Sequence, residues 1–154
     1  MQVKDILGLP EARLTDGDLG IESEVEGFNL PQQVTGFHTT HDGSLRGEAL
    51  EYVFKKPESI ERADKLVKML CLKLNTKTSE ARITERCGIH VHVNVQNLDV
   101  KEMWNFVTLY YLYEEVLVRY CGKEREGSLF CLRAKDTDWI IDYLVQAATV
   151  NPRS

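Results

Sequence analysis

The sequence has no long hydrophobic run, and nothing in it approaches the ~20 consecutive apolar residues of a membrane-spanning helix. Its first residues, MQVKDILGLPEARLTDGD, are too polar for a secretory signal peptide. The four cysteines form no CxxC pair, so neither a redox pair nor a disulfide framework is indicated. We therefore expect a cytoplasmic protein with reduced thiols and no membrane partner.

Positive charge is also scarce, because 19 Lys and Arg residues stand against 24 Asp and Glu residues, for a net charge of −5. A nucleic-acid backbone is therefore not expected as a partner. With 154 residues, 43% hydrophobic and 28% charged, the chain fits a single globular domain over residues 1–154.

Hydrophobic periodicity predicts an α+β fold. Strict alternation of apolar and polar residues predicts strands over residues 19–27, 48–54 and 88–95. Residues 28–36 carry Pro and Gly punctuation and are predicted to form a loop. The polar residues 75–87 are predicted to connect a helix to the third strand, partly in extended conformation.

Three helices are expected between and after these strands. The first begins after a possible N-cap at Ser59, the second runs from Asp99 to a stop at Gly122, and the third covers residues 136–148. Residues at helical spacing in the first helix are predicted to face inward, and these are Ile60, Ala63, Val67, Leu70, Cys71 and Leu74.

Each predicted strand separates an apolar face from a face that carries ionisable side chains. In the segment GIESEVEG the glutamates alternate with Ile21, Ser23 and Val25, and in GIHVHVNV two histidines alternate with isoleucine and valine. If the strands pair in one sheet, the apolar faces can take the helices. The opposite faces then gather Glu22, Glu24, Glu51, His90 and His92.

Carboxylates two residues apart on a strand lie ~6.5–7 Å apart, which lets them flank one cation or serve two. Without a cation they would repel one another. Oxygen ligands favour Mg²⁺ or Mn²⁺, whereas the imidazoles leave Mn²⁺ or Zn²⁺ open. Alternating glutamates are also common on a solvated sheet face, so the argument depends on three strands that segregate in the same way.

Three functions are compatible with these residues. One is a metal-dependent enzyme that uses the whole face. The second is a zinc hydrolase that uses His90, His92 and either one carboxylate or Cys87 as ligands, with a glutamate as base. The third is a non-catalytic module whose acidic face binds a metal or a partner. In the third case, replacing Glu22 and Glu24 would stabilise the fold by relieving repulsion.

The same segments carry a resemblance to a known family. GIESEVEG, HDGSLRGEALEYV and CGIHVHVNV occur in that order over residues 20–95 and resemble the amidoligase family of phages and bacteria. That family belongs to the carboxylate–amine ligase superfamily of glutamine synthetase and glutamate–cysteine ligase. The resemblance implies a twisted antiparallel sheet with helices on one face, and an opposite, concave face that holds ATP and Mg²⁺, with Mn²⁺ as an alternative.

The resemblance also implies a reaction in which ATP phosphorylates a substrate carboxylate and an amine then forms the amide. Glu22, Glu24, Glu51 and His90 match the family's metal-binding positions, and Glu51, His90 and His92 match its catalytic positions. Asp42 matches a family position of unassigned role, and Arg46, Arg82 and Arg86 are candidates to contact ATP or substrate. The expected partners are a small-molecule or peptide carboxylate and an amine, in the host cytoplasm if a phage encodes the chain.

The chain departs from the family pattern at its C-terminal side. The later strands of the family, including an arginine-bearing segment, are not recognisable before the final TVNPRS. We therefore expect an incomplete sheet, formed by the N-terminal portion of an amidoligase-like catalytic domain. An exposed sheet edge would favour self-association or association with the missing half, and the 154-residue chain alone could be inactive.

Overall fold

The computed structural model describes residues 1–41, 43, 45, 47–122, 133, 139, 142, 145 and 146. Contacts divide the chain into two compact units, Met1–Val100 and Lys101–Ser154. The first unit contains a sheet and its covering helix, and the second contains a long helix. The described residues form an α+β fold, as the sequence predicts.

Four antiparallel strands form one open sheet in the first unit, in the order β2-β3-β1-β4. The predicted strands are confirmed, with a fourth short strand in addition. Their bounds are β1 Leu19–Glu26, β2 Phe37–Thr40, β3 Ala49–Phe54 and β4 Ile89–Val93. A four-residue helix, α1 (Val3–Ile6), and a 3₁₀ turn, Glu11–Arg13, precede the sheet, and the sequence pattern predicted neither of them.

The predicted connection over residues 75–87 runs beside the end of β1 and is partly extended. The backbone of Arg82 exchanges hydrogen bonds of 2.7 and 3.2 Å with Glu26. The amide of Glu80 donates to the carbonyl of Phe28 at 3.0 Å. These hydrogen bonds hold the segment beside β1 and so position the residues that lead into β4.

Helix α2 (Ile60–Leu74) covers the apolar face of the sheet. The hydroxyl of Ser59 accepts a hydrogen bond from the amide of Arg62 at 3.3 Å, so the predicted N-cap is confirmed. The buried stripe differs in part from the prediction, because Ile60 and Cys71 are exposed. The helix is rotated toward Leu66, and its buried residues are Ala63, Leu66 and Leu70.

The core of the first unit lies between α2 and the central strands. Val25 of β1, Leu50, Tyr52 and Phe54 of β3, and Phe37 of β2 are all buried in it. The rings of Phe37 and Phe54 meet edge to face, with centroids 5.0 Å apart. The apolar side chains of β4 share this face by register with β1 but are exposed, and they are Ile89, Val91 and Val93.

Tyr52 is the most deeply buried residue of this core, and its hydroxyl donates to the carbonyl of Pro31 at 3.1 Å. Burial raises the pKa of Tyr52 from 10.0 to about 12. The native state therefore holds this proton more tightly than the unfolded chain. The resulting stability is complete below pH 10 and is lost as the pH rises from about 10 to about 12.

We expect Tyr52→Phe to lower the free energy of unfolding at pH 7 by about 1 kcal/mol, because the Pro31 carbonyl loses its donor. The variant should also lose less stability than the wild type between pH 9 and about 11, since it has no phenol to ionise. Urea unfolding at pH 7, 9 and 11 measures both effects. Parallel losses in the two proteins above pH 9 would contradict the buried phenol as their cause.

The second unit contains α3 (Val100–Tyr120), which matches the predicted second helix. Gly122 follows it with φ 101°, and its amide donates to the carbonyl of Arg119 at 3.3 Å, as expected for a helix stop. Arg133 donates to Glu115 of α3 at 2.9 Å. The predicted third helix lies largely outside the described residues. None of the described helices is long and apolar enough to cross a membrane.

Candidate functional site

The ionisable face predicted from strand alternation is present in the sheet. Residues directly paired across neighbouring strands point to the same side. Glu22 of β1 pairs with His90 of β4, and Glu24 pairs with Glu51 of β3. His92 pairs with Gly20 at the start of β1. The five predicted residues, Glu22, Glu24, Glu51, His90 and His92, therefore lie on one face, opposite to α2.

Glu22 contacts both histidines of β4. Its Oε2 lies 3.1 Å from Nδ1 of His90, and its Oε1 lies 3.0 Å from Nε2 of His92. Because a carboxylate accepts hydrogen bonds, Nδ1 of His90 is the donor in its hydrogen bond with Glu22, and His92 lies at ion-pair distance from the same carboxylate. The Glu22 side chain is 26% exposed and the two imidazoles are more than half exposed. One carboxylate thus fixes the orientation of two rings while the face stays open to solvent.

Glu24 is more deeply placed than Glu22 and is tied to the start of β4. It is 7% exposed, and its Oε2 accepts a hydrogen bond from the amide of Gly88 at 2.6 Å. The amide of Glu24 donates in turn to the carbonyl of Gly88 at 3.0 Å. Gly88 lies two residues before His90, so Glu24 sets the position from which β4 presents its histidines.

We expect Glu24→Ala to lower the free energy of unfolding by about 1–3 kcal/mol, because the Gly88 amide is left without its acceptor. Glu24→Gln is the matched control, since its carbonyl oxygen can still accept that bond, and it should cost less than half as much. Urea denaturation of the three proteins makes the comparison. Equal stability of Glu24→Ala and the wild type would contradict this anchoring role.

Glu22, Glu51 and His90 form the one group of three donors in the described part of the chain that could hold a metal ion. Their ligand atoms all lie within 4.8 Å of one another. Glu24 and Glu51 also face each other directly across the strand pair. Like charges in that position destabilise a sheet, so this face concentrates negative charge at a cost to the fold.

This donor set fits a divalent cation. Ligands bound at ~2.1 Å lie ~3 Å apart at adjacent positions of an octahedron and ~4.2 Å apart at opposite positions. The 4.8 Å limit for all three donors needs only small side-chain shifts to match those values, and a bound cation would replace the proton that His90 shares with Glu22. A site of two carboxylates and one imidazole suits Mn²⁺ and Mg²⁺. A site rich in thiolates would suit them less well.

The other predicted residues lie elsewhere or are not described. Cys87, the sulfur ligand of the zinc hypothesis, is 2% exposed and its thiol lies 3.7 Å from the carbonyl of Arg82. Arg86 lies in the connection before β4, and its amide donates to Thr84 at 3.2 Å. Asp42 and Arg46 lie outside the described residues.

Sequence reasoning missed the contribution of Gly88. A Cβ atom at this residue would lie 3.0 Å from Glu24 Oε2 and 3.1 Å from His90 Nε2, so the close approach of these groups favours glycine. The signal was present in the sequence, because glycine directly precedes the His-x-His strand. Only the pairing of β1 with β4 shows why that position is crowded.

The sequence of the chain matches a protein-family model. The family model described as "putative amidoligase enzyme" matches residues 53–151, which is well over half of the chain. The chain belongs to this amidoligase family. The match confirms the family that the strand motifs suggested, and of those motifs CGIHVHVNV lies wholly within the matched residues. No curated protein and no solved structure matches the chain.

The range matched by the amidoligase family contains His90 and His92 but begins two residues after Glu51. The carboxylates of β1 therefore enter the site through strand pairing, independently of the family match. Membership indicates a ligase-type function. The likeness of the sheet to that of glutamine synthetase stays a prediction.

Proposed function

We propose that this amidoligase is an ATP-dependent carboxylate–amine ligase whose cation site is formed by Glu22, Glu51 and His90. The observation that carries the proposal is the convergence of these donors within 4.8 Å on the open face of the sheet. The family match supports the class of reaction. ATP and Mg²⁺, or Mn²⁺ in its place, are the proposed cofactors.

The reaction joins a carboxylate to an amine in two steps. An oxygen of the substrate carboxylate attacks the γ-phosphorus of ATP, and ADP leaves with the electron pair of the broken P–O bond. The amine nitrogen then attacks the carbonyl carbon of the acyl phosphate, inorganic phosphate leaves, and the nitrogen loses one proton. The first step brings two anions together, so it depends on positive charge at the site.

A bound divalent cation supplies that positive charge by neutralising phosphate oxygens. The protein chain determines where the cation is held. Glu22 and Glu51 come from neighbouring strands and His90 from the third, so the position of the ion is fixed by the sheet rather than by a loop. His92 is held by Glu22 at 3.0 Å and lies beside the cation site, where it can exchange a proton with a bound amine.

The proposal is tested by titrating the non-hydrolysable ATP analogue AMP-PNP into the protein by calorimetry, with and without Mn²⁺. We expect Mn²⁺ to tighten binding of the analogue at least tenfold. Glu51→Gln should remove the effect of Mn²⁺, whereas Glu48→Gln, an exposed residue just before β3, should retain it. Binding that is the same with and without Mn²⁺, or no binding in either case, would overturn the ATP-dependent mechanism.

A further inference from the structure

A hollow of about 320 Å³ lies at the end of the sheet where β1 begins and β3 and β4 end. Gly20 and Glu22 of β1 line it, together with residues of the two flanking strands and of the segment after β3. The volume is at the lower end of the range for small-molecule sites, which is about 300–1,000 Å³. All of its lining residues belong to the first unit.

Gly20 lines this hollow without contributing a side chain to it. Its backbone lies outside the left-handed region, so the chain conformation does not require glycine there. A Cβ atom would meet only His92 Cβ, at an ordinary contact distance of 3.7 Å, so packing does not require glycine either. Glycine inside a strand weakens it, and often marks a place where a ligand approaches closely.

The lining of the hollow carries ionisable side chains of both signs. Lys55 and Lys56 belong to the lining and lie in the segment that leaves β3. Glu22 and His92 line the wall that adjoins the cation site. The apolar residues of the lining are Leu19, Ile21, Val53, Phe54, Pro57 and Val93.

The side-chain amide of Asn94, another residue of the lining, donates hydrogen bonds within the chain rather than to a ligand. Its side-chain amide donates to the carbonyls of Thr15 and Gly17, at 3.2 and 2.7 Å. The side-chain amide of Gln96 donates to the carbonyl of Thr15 as well. These bonds fix the segment beside the end of β4, so the wall formed by His92 and Asn94 is preformed.

We propose that this hollow binds the carboxylate substrate, and that the substrate is a small organic acid with a second anionic group. The second anion meets Lys55 and Lys56, the carbon chain lies over Gly20, and the reacting carboxylate reaches the Glu22 side of the cation site. This inference rests on the proposed ligase function. It adds the substrate class and the site that selects it.

The test compares dicarboxylates with monocarboxylates of the same chain length. Each acid is titrated into the Mn²⁺-loaded protein, and its binding is followed by ligand-observed NMR. The pairs are succinate with butyrate, glutarate with valerate, and adipate with hexanoate. We expect at least one dicarboxylate to bind tenfold more tightly than its partner. The Lys55→Gln/Lys56→Gln double variant should abolish that preference, since the second carboxylate loses its counter-charges.

Gly20→Val tests the hollow itself by filling it with a side chain that strands favour. The variant should be at least as stable as the wild type and keep its affinity for Mn²⁺ and for AMP-PNP, yet bind the preferred dicarboxylate at least tenfold more weakly. Gly43→Ala is the control, because a Cβ there meets nothing within 4 Å. Unchanged dicarboxylate binding in Gly20→Val, or no preference for any dicarboxylate over its partner, would overturn the inference.

The two proposals fail in different ways. If Mn²⁺ has no effect on AMP-PNP binding to the wild type, the ligase proposal is refuted, whichever carboxylic acids bind. A retained Mn²⁺ effect together with equal dicarboxylate binding in wild type and Gly20→Val leaves the ligase proposal standing and refutes the substrate site alone.

Discussion

Glu22→Gln should weaken Mn²⁺ binding by at least about 100-fold. Removing an outer-sphere partner of a metal ligand commonly costs 10–100-fold in affinity, and Glu22 combines that role with direct ligation. It offers an oxygen to the cluster and orients His90 and His92 through contacts of 3.1 and 3.0 Å. Electron paramagnetic resonance of free Mn²⁺ during a titration measures the affinity directly.

The matched control is Glu26→Gln, which neutralises another glutamate of the same row on β1. Glu26 lies beyond Glu24 and outside the group of three donors. Its replacement should change Mn²⁺ affinity less than threefold, through the loss of one distant negative charge. Similar losses in the two variants would show that Mn²⁺ responds to the charge of the whole face rather than to a site centred on Glu22.

Gly27→Ala should produce the largest loss of stability, of about 3 kcal/mol or more in the free energy of unfolding. Gly27 has φ +136°, and a Cβ there would lie 2.1 Å from the carbonyl oxygen of Glu80. That clash is with backbone, so relief requires the 80–82 segment to move away from β1. The hydrogen bonds between Glu26 and Arg82 would then be lost, and with them the approach to β4.

Gly43→Ala is again the reference, because it changes the same residue type with open space around it. Thermal and urea unfolding of the two variants should separate them clearly, with Gly43→Ala close to the wild type. Equal stabilities would contradict the close packing of Gly27 against Glu80. If Gly27→Ala is already unfolded at room temperature, the expected loss of stability is established. Added Mn²⁺ should then show no binding to the variant.

The composition of the ionisable face could be predicted from the sequence because strand alternation has a fixed period of two. Once β1, β3 and β4 pair with their apolar faces on the same side of one sheet, Glu22, Glu51 and His90 share the other side, whatever the strand order. Alternation does not give the order, and the order places β1 between β3 and β4. That central place brings Glu22 within reach of both neighbouring strands.

Other features depend on contacts that no local pattern records. Phe37–Thr40 is a four-residue strand next to Gly36, too short for alternation to reveal, although Phe37 is part of the core. The inward face of α2 was predicted correctly at Ala63 and Leu70 but wrongly at Ile60 and Cys71. Tertiary packing against the sheet decides which side of a broad apolar stripe is buried.

The division of roles between Glu22 and Glu24 was also beyond the sequence. The two residues occupy equivalent places in the E-x-E pattern, yet only Glu22 belongs to the group of three donors. Glu24 accepts the Gly88 amide at 2.6 Å. A hydrogen bond to a residue 64 positions away along the chain cannot be read from local spacing.

The central claim, a divalent cation site made by Glu22, Glu51 and His90, is tested most directly by crystals of the protein soaked in Mn²⁺. Anomalous diffraction locates the ion without assumptions about its ligands. The account predicts a peak about 2.1–2.3 Å from a carboxylate oxygen of Glu22 and of Glu51 and from a ring nitrogen of His90. A peak bound by other residues, or no peak at a concentration that saturates the solution titration, would contradict it.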